Sequence, residues 1–123
     1  MAIPSDEDFA RAKRQAAERG RNLDKVEENA RRYFAQVCPF SSHTLFVMPE
    51  GDNKFAALVF YKNARDVAIY QGNGIAEKIE EFIFAELDRQ GRGKRDEIDV
   101  RFEFDSDDNV RTNYEGIYFL RLR

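Results

Sequence analysis

The chain has 123 residues, of which 42% are hydrophobic and 35% charged, with 11 Phe and no Trp. This is the length of one domain with apolar surface enough for a single core, which excludes wholesale disorder and any need for disulfide staples. Twenty basic against 23 acidic side chains leave a net charge of −3, too little of either sign for nucleic-acid binding by bulk electrostatics, so recognition falls to local patches.

The elements can be taken in chain order as one domain over 1–123. Ser5 followed by Asp8 has the spacing of a capping box, and Asp6, Glu7 and Asp8 crowd the first turn, where the helix dipole favours anions. A stripe of Phe9, Ala12, Ala16, Leu23, Val26, Ala30, Phe34 and Val37 carries the helix to its stop at Cys38-Pro39. Unbroken, it would measure about 48 Å, against a body about 35 Å across. The helix is therefore expected either to break at Gly20-Arg21-Asn22 or to project over residues 1–21 from a body formed by 22–123.

Thr44 to Met48 and Lys54 to Lys62 read as strands joined by the turn chemistry of Pro49 to Asn53, and the continuous apolar run of the second suits a central strand. Val67 to Tyr70 reads as a third strand after the turn Asn63 to Asp66. Asn73 then caps a helix with Ile75, Ile79, Phe82, Ile83 and Leu87 on one face. Ile98, Val100, Phe102 and Phe104 alternate with Asp99, Arg101, Glu103 and Asp105, and a last strand over Tyr114 to Leu122 follows an acidic turn. The expected fold is α+β in the order α-β-β-β-α-β-β, with a mostly antiparallel five-stranded sheet and helices on one face.

Motifs for chemistry are largely absent. Cys38 and His43 are the only residues of their kinds; a buried structural thiol and a loop imidazole outweigh a nucleophilic pair, and a Cys/His zinc site would have to borrow ligands from carboxylates. Gly72-Asn73-Gly74 lacks the third glycine of a dinucleotide fingerprint, with Glu77 in its place. Gly91-Arg92-Gly93-Lys94-Arg95 fails as a phosphate loop and reads as a solvated connector. Asp105 to Asn109 opens like a calcium loop but has Val110 where glycine is required. Two carboxylates from Glu50, Glu103 and Glu115 would suffice for a glycosidase, yet so small a chain has no second lobe to form a cleft. No catalysis, cofactor or metal is expected.

The informative feature is the clustering of carboxylates. Glu77, Glu80, Glu81, Glu86 and Asp88 on one helix face only Lys78, and a further acidic run from Asp96 to Asp108 faces only Arg101. Two adjacent elements of one sign favour a basic partner. Glu77, Glu80, Glu81, Asp105, Asp107 and Asp108 are the candidate contacts, because helix and turn geometry is expected to leave them in water.

The size, the mild acidity, the element order and the run from Phe55-Ala56-Ala57-Leu58-Val59-Phe60-Tyr61-Lys62 to Tyr114-Glu115-Gly116-Ile117-Tyr118-Phe119 resemble the small α/β immunity proteins of bacterial contact-dependent inhibition and related polymorphic toxin systems. The resemblance covers most of residues 23 to 123 and implies a non-enzymatic antitoxin that binds a basic toxin domain such as a nuclease. The same element order is similar to type III secretion effector chaperones, although those close with a helix. An RNA-binding module using Arg92, Lys94, Arg95, Arg121 and Arg123 is a third reading, opposed by the net acidity and the lack of Trp. A homo-oligomer stays open. The first eight residues have no basic or apolar leader region and no run reaches the roughly 18 residues of a membrane span, so the expected compartment is the cytoplasm.

Overall fold

The computed structural model describes residues 5–123. Helix α1 (Asp6–Val37) leads into strands β1 (Ser42–Gly51) and β2 (Lys54–Tyr61), then helices α2 (Ala64–Gly72) and α3 (Ile75–Arg89), strand β3 (Asp99–Ser106), and the short helices α4 (Asp107–Asn113) and α5 (Tyr118–Leu122). The class is α+β, but the sheet has three strands in the order β1-β2-β3, with β1 antiparallel and β3 parallel to β2. The expected five-stranded, mostly antiparallel sheet is thereby corrected. No helix among the described residues is long and apolar enough to cross a membrane.

Two segments account for the difference. Val67 to Tyr70 lies inside α2, where a helix lets Val67 and Tyr70, three residues apart, both pack on the core, with Tyr70 stacked 5.1 Å from Tyr61. The turn before α4 is a helix cap: Ser106 Oγ accepts the Asn109 N–H at 3.2 Å, and the residues expected to form a last strand instead end α4 and form α5. With α2 and α3 both helical, the chain between β2 and β3 becomes a long crossover, which permits the parallel pairing that a hairpin forbids.

Helix α1 starts as expected, with Ser5 Oγ accepting the Asp8 N–H at 3.2 Å and Asp8 Oδ2 accepting the Ser5 N–H at 3.3 Å. It runs unbroken through Gly20, and residues 5–21 are exposed, with Leu23 the first buried position. The length conflict is therefore resolved by projection. A Cβ at Gly20 would meet nothing within 4 Å, so Gly20→Ala should stabilise the helix by about 0.5–1 kcal/mol. The far-ultraviolet helical signal should rise and melt later; a loss of helicity would contradict a continuous α1.

The core lies on both faces of β2, as expected of a central strand. Phe55, Ala57, Val59 and Tyr61 meet Leu23, Val26, Ala30 and Phe34 of α1 and Ile79, Ile83 and Leu87 of α3. Ala56, Leu58 and Phe60 turn the other way and are covered by Val110, Tyr114, Tyr118 and Leu122. Helices therefore cover both faces, not one. The arrangement follows from the alternation of side chains along β2, which is apolar at every position from Phe55 to Tyr61 and must be covered twice.

Candidate protein-binding surface

The two edges of the sheet are treated differently. On β1 the outer edge is closed by α1: Glu27 Oε2 accepts the Val47 N–H at 3.0 Å, and Arg31 Nε–H donates to the Leu45 carbonyl at 2.7 Å. Glu27 and Arg31 are themselves paired at 3.1 Å, one helical turn apart. On β3 the Asp99 N–H faces inward and donates to the Asn53 carbonyl at 2.8 Å. Strand alternation then turns the N–H and C=O of Val100, Phe102 and Phe104 outward, and these find no backbone partner among the described residues. Only at the end of the strand is an outward donor taken, the Ser106 N–H by Asp105 Oδ1 at 2.7 Å.

Beside this open edge lies a cleft of about 450 Å³ lined by Gln71 at the end of α2, Ala76, Glu77 and Glu80 on α3, and Phe102 and Phe104 on β3. The apolar stripe of Ala76, Ile79, Ile83 and Leu87 faces the core and rolls Glu77, Glu80 and Glu81 outward. None of these three carboxylates has an ion pair among the described residues. The Glu80 carboxyl is held above its ordinary range by partial burial and by the charge of Glu77, against a smaller opposing pull from Arg95. An incoming cation would relieve that repulsion.

The other three sequence-derived contacts belong to a different place and have different work. Asp105 lies on the opposite face of β3, where its Oδ2 accepts from Arg121 Nε at 2.6 Å and from the Asn109 amide at 2.9 Å. Asp107 Oδ1 accepts from the Tyr118 hydroxyl at 2.7 Å and lies 3.3 Å from His43 Nε2, while its Oδ2 pairs with Arg111 at 3.0 Å. Asp108 Oδ2 accepts the Ala64 N–H at 2.9 Å, tying the start of α2 to α4. Asp105 and Asp107 are thus largely buried anchors of α4 and α5, with side chains 16% and 19% exposed. The single acidic face divides in two, and only its α3 half is free.

The remaining chemistry-bearing residues are also accounted for. Cys38 is fully buried at the end of α1, and burial, with the Asp66 charge adding to it, pushes its thiol up to about 11 against a smaller opposing pull from the neighbouring Tyr70 hydroxyl, which itself donates to Ser41 Oγ at 3.0 Å. His43 stacks on Tyr118 at 5.8 Å, over the opposite side of the sheet from Cys38, so the two do not form a pair. Glu50 and Glu103 are bridged by Arg101. Burial raises the Glu103 carboxyl, but Arg121 and Arg101 together outweigh it and hold the group below its ordinary range, the wrong direction for a proton donor. Glu115 sits in the turn between α4 and α5 at positive φ. Of the five cations considered for RNA, Arg121 is paired to Asp105 and Glu103, Arg123 lies over Phe119, and Arg95 lies over Phe84 4.4 Å from its centroid. No cluster of ligating side chains suited to a metal ion occurs among the described residues.

The open edge was missed in the sequence because the residues after Asn63 read as a further strand that could have paired with it; the strict alternation from Ile98 to Asp105 was the available signal for where a partner strand could lie. No protein-family model, curated protein or solved structure matches the chain.

Proposed function

We propose that the chain is a non-enzymatic binding protein that takes a basic segment of a partner protein as an added strand along β3, and that it serves as an antitoxin against a toxin domain. The observation that carries the strand-addition reading is the contrast between the edges: β1 is closed by Glu27 and Arg31 while β3 is left open beside the unpaired carboxylates of Glu77 and Glu80. The element order behind the likeness to immunity proteins and to effector chaperones is not the one observed, so the surface, and not the order, supports the reading. Helices α4 and α5 after β3 fit a chaperone as well as an antitoxin, and the nature of the partner separates the two.

The test is titration of the toxin domain encoded beside the gene, followed by amide exchange. The amides of Val100, Phe102 and Phe104 should become protected in the complex, and added salt should weaken association. Glu77→Lys with Glu80→Lys should lower affinity about tenfold or more while stability moves within about 0.5 kcal/mol per site. Protection confined to other elements removes strand addition, and unchanged affinity in the folded double variant removes the acidic lip. Failure to bind any such domain removes the antitoxin role, and capture of an export effector in its place transfers the surface to a chaperone.

A further inference from the structure

A second cavity lies at the end of the sheet where β2 begins. It encloses about 360 Å³ and is lined by Arg19 of α1, by Gly51, Asp52 and Asn53 of the β1–β2 hairpin, and by Gly91 and Arg92 of the loop after α3. Three separate elements thus converge on it, which fixes its shape more firmly than one loop could.

Arg92 is held in place from several sides. Its Nη1–H donates to the Arg19 carbonyl at 2.9 Å, its guanidinium lies 5.0 Å from the Phe55 ring centroid, and its backbone N–H donates to the Leu87 carbonyl at 2.8 Å. These contacts use the carbonyl of Arg19 and leave its guanidinium free. Neither Arg19 nor Arg92 has an ion pair among the described residues, although Asp52 lines the same cavity. Two like charges on one cavity repel. Partial burial and the charge of Arg19 both press the Arg92 guanidinium below its ordinary range, and an anion between them would reverse that strain.

We infer that this cavity binds a small phosphate ester bearing hydroxyl groups, with the phosphate between Arg19 and Arg92 and a hydroxyl toward Asp52. Guanidinium forks match the geometry of phosphate oxygens and remain charged at any physiological pH. Gly51 and Gly91 put no side chain into the walls, and a Cβ at Gly91 would meet nothing within 4 Å, so a ligand can approach the backbone closely. The Asp52 carboxylate opposes a ligand that is anionic throughout and accepts a hydrogen bond from a sugar or glycerol hydroxyl, which selects an ester over bare phosphate or pyrophosphate. A volume of about 360 Å³ falls in the range of sites for small molecules. The site is separate from the β3 edge, and its test is independent of any protein partner.

The experiment is titration of the whole chain with glycerol 3-phosphate and with inorganic phosphate, followed by amide chemical shifts. Saturable shifts at Gly51, Asp52, Asn53, Gly91 and Arg92, with the ester bound more tightly than inorganic phosphate, are expected. Arg19→Gln should weaken the ester about tenfold or more, the loss of one charge-assisted hydrogen bond, with an unchanged melt because that side chain supports nothing else. Arg92→Lys keeps the charge but loses the fork and should weaken it as well. Absence of saturable shifts, equal affinity in a folded Arg19→Gln variant, or binding of a single-stranded oligonucleotide with no binding of the ester would each overturn the inference.

Discussion

Ending the chain at Gly116 is expected to abolish the cooperative unfolding transition at room temperature. The face of β2 formed by Ala56, Leu58 and Phe60 depends on residues that this truncation removes: Tyr118 lies edge-on to Phe60 at 5.0 Å and packs 5.9 Å from Phe46, and Leu122 adds to the same cluster. Tyr118 is partly buried, so its loss costs about 2–3 kcal/mol, below the figure for a fully buried aromatic. Loss of Arg121 also leaves Asp105 without its 2.6 Å partner, a further cost of about 2–3 kcal/mol for a largely buried carboxylate whose site keeps some water. Together these approach the roughly 5–15 kcal/mol by which domains are stable at all. Urea titration followed by near- and far-ultraviolet dichroism should show a gradual change with no sharp midpoint. A sharp transition near that of the intact chain would mean that α5 is not part of the core.

The second large effect is expected at Arg121. Its guanidinium lies between Asp105 and Glu103, at 2.6 Å and 3.1 Å, and 5.7 Å from the Phe60 ring centroid. Burial raises the carboxyls of both Asp105 and Glu103, but hydrogen bonds from Arg121 outweigh it, with Ser106 and Asn109 assisting at Asp105 and Arg101 at Glu103, so both groups sit below their ordinary range. A carboxyl lowered by folding adds stability that is complete above its unfolded value, about 4, and is lost as pH falls through the lower folded value. The intact protein should therefore lose stability from about pH 5 downward. Glu80, raised by folding, works in the opposite direction and is largely wet, so it offsets only part of the trend. Arg121→Met should cost about 2–3 kcal/mol at pH 7, less than a fully buried pair because the site keeps some water, and the deficit should shrink toward pH 3. Parallel melts at the two pH values check this, and a deficit independent of pH would assign the loss to packing alone.

Much of the fold was legible where one physical signal dominated. The capping box at Ser5, the stripes of α1 and α3, the doubly apolar β2 and the alternation of β3 are each a periodicity sustained over several turns or pairs, and each was placed correctly. The errors fell on short apolar segments where helix and strand patterns overlap. Val67-Ala68-Ile69-Tyr70 is too short to show a period by itself. Ser106-Asp107-Asp108-Asn109 repeats the pattern of Ser5-Asp6-Glu7-Asp8, a hydroxyl followed by an acidic first turn, yet it was read as a hairpin turn because the β-rich composition of Tyr114 to Leu122 invited a strand. The spacing of Tyr114, Tyr118 and Leu122, four residues apart each time, was the contrary signal, and these are the positions that face the sheet. The candidate surface was half legible for a related reason. Helical geometry alone rolled Glu77, Glu80 and Glu81 off the core, with Glu80 left partly buried, whereas the fate of Asp105, Asp107 and Asp108 depended on Arg111, Tyr118 and Arg121, whose positions follow from the misread segment.

The projecting half of α1 has a thermodynamic consequence of its own. A helix of that length has little stability in isolation because starting the first turn is costly, but here the body supplies the nucleus and the outer half only has to extend it. Gly20 stands at that junction. A glycine there lowers the propagation weight about fivefold relative to alanine, the factor that corresponds to about 1 kcal/mol. The outer turns, held to the body through the Arg92 bond to the Arg19 carbonyl, can therefore fray from Ser5 inward while Leu23 to Phe34 stay packed, and the single helix behaves as two segments of unequal lifetime.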